Sequence, residues 1–130
     1  MIQILKKISF FSGLADADLE SIGKTIQLEY YPADHVLFKE GVPGDKMYII
    51  KRGSVQVVRG NTILAVLKEG SFFGEMALVS DEPRNATIKT VTDLEVLTLG
   101  KSDFQALLSS KPSIAEIVSF EIVKRANQIF

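Results

Sequence analysis

Between positions 28 and 99 no β-compatible run exceeds seven residues, and glycine stands in most of the gaps. The runs are 28–31, 36–39, 47–52, 54–59, 62–68, 87–92 and 95–99, with Gly41, Gly44, Gly53, Gly60 and Gly70 between them. Many short strands at close spacing predict a barrel or sandwich. Gly60-Asn61 sits directly between two such runs and predicts a hairpin turn. At 130 residues the chain makes one domain, large enough for a proper core.

Helical patterns flank the strand region. Ile8, Phe10, Phe11 and Leu14 form an apolar entry segment, and residues 16–26 read as an amphipathic helix with Leu19, Ile22, Gly23 and Ile26 at helical spacing. Asp16 and Asp18 stand at its start, where negative charge is favoured. Residues 101–109 predict a short helix with Ser102 as N-cap and Phe104, Leu107 and Leu108 on the apolar face. Pro112 opens a last helix running to about Phe130, with Ile114, Ile117, Val118, Ile122, Ala126 and Ile129 as a broad apolar stripe. That stripe must cover the roll, a partner helix, or both in different states. Self-association and a monomer are both compatible with it.

One segment interrupts the strands with a different chemistry. Phe73-Gly74-Glu75-Met76-Ala77-Leu78 is followed, after a short spacer, by Pro83-Arg84-Asn85-Ala86-Thr87. Gly74 permits a sharp turn, and residues 75–79 would open a short helix whose free N–H groups favour a phosphate. An ionised Glu75 only accepts hydrogen bonds, which suits a pair of ribose hydroxyls. Arg84 presents a planar fork of donors matched to phosphate oxygens. Asn85, Ala86 and Thr87 keep the following backbone uncrowded.

This pattern resembles the phosphate-binding cassette of the cyclic nucleotide-binding domain family, F-G-E-x-A-L and then P-R-x-A-[ST], with the same nine-residue step from Glu75 to Arg84. The stretch 38–53 resembles the family's glycine-punctuated strand pair, with Gly41, Gly44 and Gly53 expected at β-roll corners that need positive φ. The resemblance runs from about Leu14 into the C-terminal helix. It implies a mainly β fold with flanking helices: an eight-stranded antiparallel, jelly-roll-like β-roll with an N-terminal helix, a short cassette helix and two C-terminal helices. The boundaries expected are a helical segment at 1–27, the roll at 28–100 with its cassette at 72–90, and hinge and lid helices at 101–130.

The resemblance also implies ligand contacts. Glu75 would take the ribose 2′-hydroxyl and Arg84 the cyclic phosphate, with Phe73, Gly74, Met76, Ala77, Ala86 and Thr87 completing the cradle. Val57, Ala65 and Leu67 fall where the family lines its purine pocket, although their alternation is also that of any core strand. Arg125 falls where channel-type members carry a base-contacting arginine on the last helix; a solvated helix-end cation is the other reading. The family often has Ala, Ser or Thr at the position of Asn85, and Thr there is associated with guanine. Asn85 either contacts guanine or simply keeps the loop solvated, and the expected ligand is cAMP in preference to cGMP.

Composition narrows the alternatives. A net charge of −1 and no basic tract argue against nucleic acid or an anionic membrane as the main partner. The absence of cysteine removes disulfides and thiolate chemistry and fits a reducing cytoplasm. The apolar stretch at 1–5 is broken by Lys6 and Lys7, too early for a signal-peptide core or a bilayer span. His35 is the only histidine, so a β-roll metal site is not expected. Nothing places Asp81 or Glu82 across a substrate from Glu75, so neither catalysis nor a cofactor is expected. The expectation is a stand-alone or excised regulatory sensor, contacting a second copy or an effector domain through its last helix. The alternatives are a ligand-free interaction roll and the sensor half of a DNA-binding regulator.

Overall fold

The computed structural model describes residues 2–8 and 11–124. Among these residues, eight strands form two four-stranded antiparallel sheets, ordered β1-β8-β3-β6 and β2-β7-β4-β5. The strands are β1 (Gln27–Tyr31), β2 (Val36–Phe38), β3 (Lys46–Arg52), β4 (Val55–Arg59), β5 (Thr62–Leu67), β6 (Phe72–Phe73), β7 (Thr87–Thr90) and β8 (Leu94–Gly100). The roll is the one expected, and β4 and β5 do form a hairpin across Gly60-Asn61, with Arg59 opposite Thr62. The strand absent from the sequence reading is β6. Its two residues, Phe72 and Phe73, pair with Ile49 and Tyr48, too short a run to leave a period.

Among the described residues, four helices pack outside the roll: α1 (Ile2–Lys6), α2 (Asp16–Gly23), α3 (Lys101–Ser110) and α4 (Pro112–Lys124). Several boundaries differ from expectation. The apolar start of the chain is itself a helical turn, α1, with Leu5 fully buried. Helix α2 closes at Gly23 with Lys24 as its C-cap, so Ile26 lies beyond the helix. Gly100, rather than Ser102, occupies the N-cap position of α3, and no side chain caps that end. On α4, Val118 and Ile122 are buried as expected, whereas Ile117 is exposed along with Phe120 and Val123. The side chains of Leu108 and Ile114, and Phe10, Ala126 and Ile129 altogether, lie outside the described residues.

Strand alternation divides the interior into two cores. On β3, Met47 and Ile49 face one way and Tyr48 and Ile50 the other; on β8, Leu97 and Leu99 oppose Leu94 and Val96. The first set packs with Leu5, Phe11, Leu19, Leu78, Phe104, Val118 and Ile122 beneath the helices. The second fills the roll with Val55, Val57, Phe73, Ala86 and Ile88. Strictly alternating strands cannot turn two consecutive side chains inward. The register slips between Val36 and Phe38 on β2 and between Val57 and Val58 where β4 meets β5. Bulges of this kind re-aim side chains. Here they let the pairs Leu37-Phe38 and Leu64-Ala65 all pack on the roll core.

Candidate ligand-binding site

The site begins where β6 ends. Gly74 takes the left-handed conformation, φ 77° and ψ 15°, and diverts the chain into a single 3-10 turn, Glu75–Leu78. The turn is shorter than the helix expected for 75–79, with Val79 serving as its cap. Ala77 N–H closes the turn on Gly74 O at 3.2 Å. Glu75, the first residue of the turn, is buried, at 6% exposure.

An irregular loop then carries the chain to Arg84, whose main chain is held on both sides. Arg84 N–H donates to Val42 O, and Gly41 N–H donates to Arg84 O, each at 2.8 Å. The side chain is as closely held. Nη2 donates to Lys46 O at 2.7 Å and Nη1 to Gly74 O at 3.2 Å. The Phe38 ring lies against the guanidinium with its centroid 4.1 Å from Cζ, and the Tyr48 ring is 6.0 Å away. Arg84 Nε is buried and has no hydrogen-bond partner among the described residues. Burial pulls the Arg84 pKa below its ordinary value, opposed by the negative potential of Tyr48, Asp45 and Glu75. The arrangement is a desolvated cation with a donor to spare, which is the requirement for gripping an anion.

Glycine is required at two points around this cation. A Cβ on Gly74 would come within 2.7 Å of Arg84 Nη1, on a backbone that also needs positive φ. Gly44 was expected at a positive-φ corner, as Gly41 and Gly53 are, but its φ is not positive. Its lack of a side chain instead makes room for Arg84 Nε, Cζ and Cδ.

A cavity of about 120 Å³ opens beside the cation. Of the expected ligand residues, 73–77 and 84–86 all line it. Thr87 does not; its Oγ1 accepts a hydrogen bond from Glu40 N–H at 2.9 Å and ties β7 to the β2–β3 loop. The Asn85 carbonyl accepts from Arg59 Nε at 3.0 Å. Val57, Ala65 and Leu67 belong to the roll core next to Phe73 and Ala86, without reaching the cavity wall. Arg125 lies outside the described residues. Phe38, Glu82, Pro83 and Ile88 also line the cavity and are not among the expected ligand contacts. Pro83 stood within the motif; Phe38 gave no signal, because its direction depends on the β2 bulge.

No group of three metal-ligating side chains occurs among the described residues, and none of their helices is long and apolar enough to cross a membrane. His35 is engaged structurally, stacked on Tyr31 with ring centroids 5.2 Å apart.

The family model described as "Cyclic nucleotide-binding domain" matches residues 28–111, from the second residue of β1 through the cassette to the end of α3. This chain belongs to the cyclic nucleotide-binding domain family. Among the family's curated members, a cyclic nucleotide-gated potassium channel of Mesorhizobium japonicum is 42% identical over 115 residues, 88% of this chain and 32% of the channel. A cAMP-dependent protein kinase regulatory subunit of Eremothecium gossypii is 36% identical over 95% of this chain and 27% of its own length. The chain thus spans about a third or less of these relatives. Among solved structures of the fold, the N-terminal domain of a transcriptional regulator from Streptomyces coelicolor A3(2) superposes with a TM-score of 0.85 at 28% identity, covering 94% of this chain and 89% of that one. The regulatory domain of Toxoplasma gondii PKA with cAMP superposes at 0.77 and 28% identity, covering 81% of this chain and 42% of that one. Relatives of this cyclic nucleotide-binding domain thus include a potassium channel and a kinase regulatory subunit, and its fold recurs in a domain of a transcriptional regulator.

Proposed function

We propose that this chain senses a cyclic nucleotide, cAMP in preference to cGMP, in the cavity beside Arg84, and transmits occupancy to its C-terminal helices. The observation that carries the reading is the buried Arg84 guanidinium, with Nε lacking a partner, lining a cavity that Glu75 also lines. Arg84 takes the cyclic phosphate and Glu75 the ribose 2′-hydroxyl. Phe73, Gly74, Met76, Ala77, Asn85 and Ala86 form the surrounding cradle, Thr87 braces it by tying β7 to the β2–β3 loop, and Val57, Ala65 and Leu67 support it from the purine side. Arg125, outside the described residues, is the proposed contact to the base. The proposal of cAMP follows the Toxoplasma gondii relative, whose regulatory domain was co-crystallised with cAMP, and the lack of Thr at position 85.

A route for coupling is supported by packing. Leu78, at the end of the 3-10 turn, shares a core with Phe104 of α3 and with Val118 and Ile122 of α4. A nucleotide that orders the turn shifts the helices only by as much as it prefers one arrangement over the other. The exposed apolar residues Ile117, Phe120 and Val123 support contact of α4 with a second copy or an effector domain. The lack of cysteine supports a cytoplasmic setting. No catalysis is ascribed to the domain.

Titration calorimetry of the nucleotide-stripped chain with cAMP and then cGMP tests this reading. Micromolar or tighter binding with cAMP preferred supports it. A preference for cGMP reverses the assignment of Asn85, and no heat or thermal shift with either nucleotide overturns the sensor.

A further inference from the structure

We propose that Phe38 is a positioning residue of the anion site, fixing the plane of the Arg84 guanidinium and keeping one of its faces dry; this rests on Arg84 being the phosphate partner. The β2 bulge turns Phe38 inward next to Leu37, and its ring lies 4.1 Å from Arg84 Cζ. Phe38 also lines the ligand cavity, so the same ring bounds both the cation and the space a ligand would enter.

The in-plane donors of Arg84 are already directed, Nη1 to Gly74 O and Nη2 to Lys46 O. Those two bonds alone leave the plane free to tip about the line joining the two carbonyls. A ring packed against the guanidinium removes that freedom, and Gly44 brings bare main chain close to Nε and Cζ. Phe38 is itself braced, with the rings of Tyr48 and Phe73 at 5.8 and 6.1 Å. An aromatic face carries negative potential toward a cation, whereas an aliphatic side chain of similar volume would fill the space without it. The stack thus stabilises the charged form where burial opposes it, and it pre-organises the fork for a phosphate.

The test is nucleotide titration and thermal melting of the full chain carrying Phe38→Leu, Phe38→Trp, or pentafluorophenylalanine at position 38, each with Arg84 and with Arg84→Lys. The fluorinated ring keeps the shape and reverses the potential of the face, so it reports the stack even where Phe38→Leu disturbs folding. We expect the leucine and fluorinated variants to bind cAMP about two- to thirty-fold more weakly, the tryptophan variant to retain affinity, and the losses to shrink in the Arg84→Lys background, which lacks the planar fork. Unchanged affinity of the fluorinated variant, or the same loss with and without Arg84, overturns the proposal while leaving the sensor intact. Failure of the unmodified chain to bind removes the sensor and this inference together.

Discussion

A methyl group on Gly44 would sit 2.4 Å from Arg84 Nε and 2.5 Å from Cζ. Residues forty positions apart are therefore matched to one another: the size of the cation dictates the absence of a side chain. Gly44→Ala should force the guanidinium out of its seat, lowering both nucleotide affinity and, by about 1–3 kcal/mol, stability. Gly70→Ala is the control, because Gly70 has φ +86° but nothing within 4 Å of an added Cβ, and its N–H donates to Ile50 O, away from Arg84. It should cost about 1–2 kcal/mol through backbone strain alone and leave affinity near that of the parent chain. Urea denaturation with calorimetry separates the two, and equal affinity losses would count against the matched pair.

Arg84→Ala should weaken cAMP binding by about 2–5 kcal/mol, since it leaves a desolvated phosphate without its counter-charge. Glu75→Gln should lose most of its discrimination between cAMP and 2′-deoxy-cAMP. A parent-like preference for the ribose hydroxyl in that variant would take Glu75 out of the sugar contact.

Acid stability should depend on Glu29. Burial acts to raise its pKa, but hydrogen bonds from Tyr31 and Lys46, together with the Lys46 charge, prevail and hold it below the ordinary 4.5. A depressed carboxylate contributes stability above its unfolded pKa and loses it as the pH falls through the folded value. Glu29→Gln should therefore melt at a lower temperature at neutral pH and show a shallower decline below about pH 4.5. Parallel melting curves for the two chains across that range would contradict the assignment.

Lys101, the first residue of α3, donates through Nζ to Ser80 O at 3.2 Å and also pairs with Asp81. Its main-chain N–H donates to Asp45 O at 2.7 Å. Lys101→Met should speed amide exchange at residues 80–82, just after the 3-10 turn. Asp81→Asn should do so less, because the Ser80 contact remains. Unaltered protection in the methionine variant would mean that the loop is held by its packing alone.

The parts of this molecule legible in its sequence are those recorded as residue identities at fixed spacing. Glu75 and Arg84 stood out through the cassette pattern, and both line the cavity; Gly60-Asn61 stood out through turn chemistry, and β4 and β5 pair across it. What escaped was set by geometry between distant segments. Phe38 faces the cavity only because a bulge suspends alternation on β2. Gly44 is required by a side chain forty positions away, which no local turn rule can express. Ile117 satisfies the helical period of α4 yet remains exposed, because periodicity gives the angular spread of an apolar face without saying how wide a strip its support covers.

The alternation of β3 and β8 makes that sheet a party wall with a tenant on each side. Met47, Ile49, Leu97 and Leu99 serve the helices, while Tyr48, Ile50, Leu94 and Val96 serve the roll. The segment that carries the family pattern ends at residue 111, yet the helix-side surface of the wall is roofed by residues from Leu5 to Ile122. A fragment trimmed to residues 28–100 would keep every cavity-lining side chain and still bare a greasy exterior to water. The smallest piece of this protein expected to stay in solution is larger than the piece that lines the cavity.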